Sequence, residues 1–189
     1  MISLPYNDFY IYKRGEFMKL FTPKLYQESI YTIDYDKLKK RNIKCLLFDL
    51  DNTCLGYKEK TPTKELENLF NELTKKGFKV IIFTNASSKR VVPFVKLHII
   101  CHTSSKKPFK RSFENIMKKY RLAKEEVCII GDQLFTDILG GNRVGIVTCL
   151  VNPLTKEDLI FTKIFRLGEN FLFKLMSSKN ILTKGEYYD

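Results

Sequence analysis

Four short segments of this chain carry side chains suited to group transfer. They are Asp49-Leu50-Asp51-Asn52-Thr53, Thr84-Asn85, Lys106-Lys107-Pro108 and the run from Gly131-Asp132 to Asp137. Together they supply carboxylates, hydroxyls and a cation. Transfer of a phosphoryl group asks for those types, as nucleophile, charge neutraliser and proton carrier. Taken singly, each residue also has an ordinary structural reading. Asp49 or Asp51 would cap a turn, and Thr84 would be an end-of-strand hydroxyl. Lys107 would be a solvated side chain in a Lys-rich stretch, and Gly131-Asp132 a tight turn. The elements that precede them separate the two readings.

Each segment follows an apolar run. Residues 43–48 (IKCLLF), 79–83 (KVIIF), 127–130 (VCII) and 145–151 (GIVTCLV) read as buried strands, with 99–102 as a weaker one. Thr61-Pro62-Thr63 opens a helix with Leu66, Leu69, Phe70 and Leu73 on one face, closed at Lys75-Lys76-Gly77. Further helices are expected over 88–97, kinked or shortened by Pro93, and over 109–120 and 134–142. A last one is expected over 156–176, broken or bent near Gly168. Strands that alternate with helices and are apolar throughout predict an α/β fold, a Rossmann-like doubly wound parallel sheet. Such sheets bind ligands beyond the carboxyl ends of their strands, where all four segments lie.

Composition narrows the class. With 189 residues, 44% hydrophobic and 29% charged, the chain is long and apolar enough to bury a core and is not disordered. No apolar run approaches the ~18 residues of a membrane-spanning helix. Asp8, Lys13, Arg14 and Glu16 argue against a secretory signal. Five widely spaced cysteines without a CxxC fit a reducing cytoplasm better than a disulfide framework or a zinc ribbon. Two-thirds of the +12 net charge falls in residues 86–126, where eleven basic residues face three acidic ones. That field attracts phosphorylated substrates, acidic lipid surfaces or nucleic acid, although solvated helix faces produce the same pattern.

An apolar strand ending in DxDxT, a strand ending in Thr, a Lys before Pro, and a strand ending in GDxxxxD resemble the haloacid dehalogenase (HAD) superfamily of phosphohydrolases. The segments PKLYQESIYTID, FDLDNT, GDQLFTD and VNPLTKEDLIFTKIFRLGE resemble the YqeG family of HAD phosphatases, subclass IIIA, over residues 18–176. That family is similar in turn to phosphatidylglycerophosphate phosphatases. Cys54 departs from the usual aliphatic residue, without consequence for the chemistry.

The resemblance implies a role for each position. Asp49 is the nucleophile that forms an aspartyl phosphate. Asp51 protonates the leaving oxygen and then activates water, provided that the chain turns sharply after the strand. Thr53 stabilises that turn. Thr84 and the backbone amide of Asn85 hold the phosphoryl oxygens, and Lys107 balances charge. Asp49, Asp132 and the backbone carbonyl of Asp51 hold Mg²⁺, a hard cation suited to oxygen ligands. Asp137 orients Lys107 or a metal-bound water, and Gly131 admits a close backbone approach.

Thirty residues separate Thr53 from Thr84, and twenty-two separate Thr84 from Lys107. Neither gap holds a cap domain, so a capless, open site is expected, with substrate presented by something larger. Lys89, Arg90, Lys106, Lys110 and Arg111 are expected to rim its mouth. Residues 18–189 are expected to form one domain, with the motifs within 45–137 and with 1–17 as an extension. The expected function is a Mg²⁺-dependent phosphomonoesterase acting on a phosphatidylglycerophosphate-type lipid, cytoplasmic or peripheral at an anionic membrane. The alternatives are phosphoprotein or nucleotide ends as substrate, or an RNA- or ribosome-associated basic module with a vestigial site. The Phe- and Leu-rich C-terminal stretch, including Leu159, Ile160, Phe161, Ile164, Phe165, Phe171, Leu172 and Phe173, either completes the core or lies in a membrane interface.

Overall fold

The computed structural model describes residues 17–155 and 160–189, with the side chains of the last helix described from Phe165 onward. The expected extension therefore lies outside the described residues except for Phe17. The same holds for residues 156–159 and for the side chains of Ile160, Phe161 and Ile164.

Six parallel strands form one sheet: β1 (Leu25–Gln27), β2 (Cys45–Phe48), β3 (Lys79–Phe83), β4 (Ile100–His102), β5 (Val127–Gly131) and β6 (Val147–Val151). Their order is β1-β6-β5-β2-β3-β4. The helices are α1 (Tyr35–Lys40), α2 (Lys64–Lys75), α3 (Ser88–Lys96), α4 (Lys110–Tyr120), α5 (Leu139–Val144) and α6 (Ile160–Ser177). The chain runs outward from β2 through β3 to β4, then returns across the sheet to β5 on the other side of β2. The order thus reverses at β2, and a crevice opens beyond its carboxyl end.

Alternation along the strands divides the core. Leu46, Phe48, Val80, Ile82, Cys128 and Ile130 face one way, against Leu38 of α1, Leu66, Phe70 and Leu73 of α2, and Phe94 of α3. Cys45, Leu47, Ile81, Phe83, Val127 and Ile129 face the other way, against Phe113 and Ile116 of α4. A third cluster joins Tyr26 and Leu150 to Leu134, Ile138, Leu172 and Met176. Each such side chain contributes ~1.5–3 kcal/mol when fully buried, so the strand ends that carry the polar segments are firmly held.

The five expected strands are present, 79–83 with the expected bounds and each of the others with one end shifted by one or two residues. β1 and α1 have no counterpart among the expected elements. β1 has only three residues, too few for a readable period. It pairs with β6 on one side, and its Tyr26 bridges Tyr188 on the other, which covers the sheet edge. The helix expected over 134–142 is a π-helical turn, Leu134–Ile138, that runs into α5. α6 continues through Gly168 where a break was expected. The glycine serves packing instead, because a Cβ there would stand 3.0 Å from the Phe135 ring. The described part of the C-terminal stretch is partly core. Leu172 and Met176 are buried, whereas Phe165, Leu167, Phe171 and Leu175 are exposed.

Candidate active site

The polar segments converge beyond the ends of β2, β3 and β5. Asp49 follows Phe48 and continues the β2–β5 ladder, its N–H donating to Ile130 C=O at 2.9 Å. The chain then turns sharply, as Asp51 requires if it is to reach the site. Cys54 and Leu55 both donate back to Leu50 C=O, and Asn52 takes a left-handed conformation with φ of 64°. An Asn tolerates that conformation better than most residues. Thr155 holds it there by donating to Asn52 Oδ1 at 2.8 Å. The Thr53 hydroxyl, expected at the turn, instead reaches across to Asp132 Oδ1 at 2.8 Å.

Lys107 is buried between two carboxylates. Its Nζ donates to Asp49 Oδ1 and to Asp137 Oδ1, each at 2.6 Å. Burial alone works against the ammonium, but Asp137 and Asp49 outweigh it and hold the group above the ordinary lysine range. The loop that delivers Lys107 is pinned by Asn85, whose Oδ1 accepts from Lys107 N–H at 2.8 Å and whose Nδ2 donates to Lys107 C=O at 3.1 Å. The Asn85 side chain is thus committed to placing Lys107. Thr84 is buried at the end of β3 and accepts from Ala86 N–H at 3.1 Å.

Asp137 lies directly over Gly131, where a Cβ would stand 2.3 Å from its carboxylate. Its other oxygen accepts from Gln133 N–H at 3.2 Å. Burial raises the Asp137 and Asp132 carboxyls above their usual range, against the pull of Lys107 on the first and Arg166 on the second. Burial also raises Asp51, against Arg90. Carboxylate oxygens of Asp49, Asp132 and Asp137 lie within 4.8 Å of one another. Hard oxygen donors at this spacing fit a divalent cation such as Mg²⁺. Asp137 accepts hydrogen bonds at both oxygens, from Lys107 and Gln133 N–H, and so does Asp132, from Thr53 and Arg166.

A cleft of about 690 Å³ opens over Asp49, Asp51, Thr84 and Lys107. Between Thr53 and Lys107 the chain contains only α2, β3, α3 and β4, so no cap is inserted there. The rim differs from expectation. Arg90 lines the cleft, but Lys58 and Lys60 join it in place of Lys89, Lys110 and Arg111, and Lys106 lines a separate hollow beside His102. The cause is the Arg90 guanidinium. It donates to Asp51 Oδ1 at 2.8 Å and to the carbonyls of Gly56, Tyr57 and Glu59, drawing the loop after β2 over the site. Arg166 and Glu169 of α6, which no sequence motif singled out, reach the site from the far side. Only their place in the FRLGE segment hinted at them.

The family profile for haloacid dehalogenase-like hydrolases matches residues 17–145. The chain belongs to this family. Among relatives of this HAD hydrolase, the Bacillus subtilis (strain 168) protein named "Probable phosphatase YqeG" is 36% identical over 162 residues, 85% of this chain and 94% of that protein. The chloroplastic/mitochondrial phosphatidylglycerophosphate phosphatase 1 of Arabidopsis thaliana is 26% identical over 159 residues. That match takes in 77% of this chain but only 45% of the plant protein. A Vibrio cholerae structure, named provisionally as a 3-deoxy-D-manno-octulosonate 8-phosphate phosphatase, has a TM-score of 0.51 at 21% identity, covering 68% of this chain and 78% of that one. It supports the fold. Profile and relatives together make this HAD hydrolase a phosphatase.

Proposed function

We propose that the chain is a Mg²⁺-dependent phosphomonoesterase that works through an aspartyl phosphate, with a phosphatidylglycerophosphate-type lipid as substrate. The observation that carries the chemistry is Asp49, held by buried Lys107 and facing a cleft that Thr84 and Asp51 also line. Asp49 attacks phosphorus, the ester bond to the leaving oxygen breaks, and Asp51 supplies the proton that oxygen takes up. Asp51 then takes a proton from the water that hydrolyses the acyl phosphate, releasing phosphate and restoring Asp49. Thr84 and the backbone N–H of Asn85 hold phosphoryl oxygens, and Lys107 offsets the charge that collects between Asp49 and phosphate. Asp49, Asp132 and the Asp51 carbonyl would hold Mg²⁺, whose contribution is to neutralise that charge. Gly131, Thr53 and Asp137 act through these groups.

Two features support a lipid substrate. No cap is inserted between Thr53 and Lys107, which suits a cleft that accepts a headgroup remaining in a bilayer. On the solvent side of α6, Leu167, Phe171 and Leu175 form an exposed apolar stripe beside Lys174, as in helices that lie in a membrane interface. The similarity to the plant phosphatidylglycerophosphate phosphatase points the same way. No helix among the described residues is long and apolar enough to cross a membrane. The proposed contact is peripheral, from the cytoplasmic side. On this reading residues 18–189 form one catalytic domain.

The test is Mg²⁺-dependent phosphate release from phosphatidylglycerophosphate in mixed micelles, with Asp49→Asn as control. Release by wild type alone supports both parts of the proposal. Turnover of a small phosphomonoester without turnover of the lipid keeps the mechanism and overturns the substrate. Salt-sensitive RNA binding without any phosphatase activity would overturn both.

A further inference from the structure

α6 does more than cover the sheet, because one of its residues grips the proposed metal ligand. Arg166 Nη1 donates to the backbone carbonyl of Asp132 at 2.9 Å, and Nη2 donates to Asp132 Oδ2. Thr53 meanwhile donates to the other oxygen, Oδ1. Both carboxylate oxygens of Asp132 are therefore held, from the β2 turn on one side and from α6 on the other, which fixes the plane of the carboxylate. Arg166 is itself held. Glu169, one turn along the helix and 3% exposed, accepts from Nη1 at 3.0 Å. Its second oxygen accepts from Phe135 N–H at 3.2 Å. Gly168 lets this turn of α6 approach Phe135 closely enough for these bonds to form.

A guanidinium is suited to the task. Its planar fork can meet a backbone carbonyl and a carboxylate of one residue at once, which a lysine cannot do. An arginine beside a buried carboxylate can also serve only to balance charge, and the two roles predict opposite effects. If Arg166 merely neutralised Asp132, its positive charge would oppose a nearby dication, and removing it would tighten Mg²⁺ binding. If it orients the carboxylate, removing it weakens binding.

We propose that Arg166 is a positioning residue for the Mg²⁺ site, holding Asp132 in ligating orientation with Glu169 as its buried anchor. This rests on the reading of Asp132 as a metal ligand. Partners of that kind, one step removed from the metal, change affinity by ~10–100-fold when lost.

The experiment is calorimetric titration of the full chain with Mg²⁺ alone, alongside its thermal denaturation. Arg166→Gln is expected to weaken Mg²⁺ binding ~10–100-fold, and Arg166→Lys less, since lysine keeps one of the two contacts. Excess Mg²⁺ should restore kcat in Arg166→Lys, with KM for a small phosphomonoester near wild type. Glu169→Gln keeps the arginine and loosens its anchor, so a several-fold weakening is expected; it also serves if Arg166→Gln fails to fold. Leu172→Ala alters the buried face of α6 while keeping Arg166 and Glu169, and should lower stability while leaving Mg²⁺ affinity intact. Unchanged or tighter Mg²⁺ binding in Arg166→Gln overturns the proposal, as does equal weakening in Leu172→Ala. Asp132→Asn with wild-type Mg²⁺ affinity overturns the ligand reading itself, which is a different failure.

Discussion

Lys107 Nζ lies 2.6 Å from Asp49 Oδ1, although the two are 58 positions apart, and its side chain is 1% exposed. The same ammonium bonds Asp137, so removing it leaves two buried acids facing each other. Lys107→Met is expected to destabilise the metal-free protein by ~3–5 kcal/mol in urea unfolding and to abolish phosphatase activity. Mg²⁺ should recover part of the stability. A wild-type unfolding midpoint without Mg²⁺ would show that the pair contributes little.

Gly131 owes its identity to Asp137. A methyl group there would stand 2.3 Å from the Asp137 carboxylate, closer than atoms can pack. Gly131→Ala is therefore expected to cost ~1–3 kcal/mol and to displace Asp137 from Lys107, lowering kcat more than it raises KM. Unfolding and steady-state kinetics on one preparation check both. Unaltered kcat would mean that Asp137 moves without disturbing Lys107.

Arg90 ties Asp51 to the loop at residues 56–59 through one side chain. Arg90→Ala should free the loop and release Asp51 together. The expected outcome is new limited-proteolysis cleavage near Lys58 and Lys60, with both kcat and KM impaired. Arg90→Lys should restore little, because one ammonium cannot replace the fork. Protection from cleavage equal to wild type would argue that other contacts close the loop.

Buried Asp132 and Asp137 keep their protons to higher pH than ordinary carboxyls do. Between the ordinary value of ~4 and those raised values, the folded chain binds more protons than the unfolded one. Their contribution to stability therefore falls as pH rises through that window. The +12 charge opposes this trend on the acid side, so the comparison should be with a variant. In EDTA, melting temperature from about pH 5 to 7.5 should decline less in Asp132→Asn than in wild type. Saturating Mg²⁺ should flatten the wild-type profile, since it favours the ionised form. Parallel profiles would remove Asp132 from the pH dependence.

Asp49, Thr84 and Asp132 were legible because each follows an apolar strand directly. Asp49 after CLLF, Thr84 after KVIIF and Asp132 after VCIIG need no tertiary information to be placed at one sheet edge. A buried parallel strand is continuous in the sequence, so its end is visible. The β1 strand was not legible, because three residues carry no period. Its pairing to β6 and Tyr188 is set by contacts more than 120 residues away.

Local patterns alone were enough for the fold class and for the order of the candidate segments, because both depend on apolar runs and on the residues that follow them. Only the tertiary structure decided which side chain holds which. Asn85 steadies the Lys107 loop across 22 residues, Arg90 draws in the loop after β2 across 31 to 39, and Arg166 grips Asp132 across 34. A long polar side chain on a helix looks like a solvated one until packing brings a buried acceptor within 3 Å. That distance is a property of the assembled sheet and helices, which no local pattern encodes.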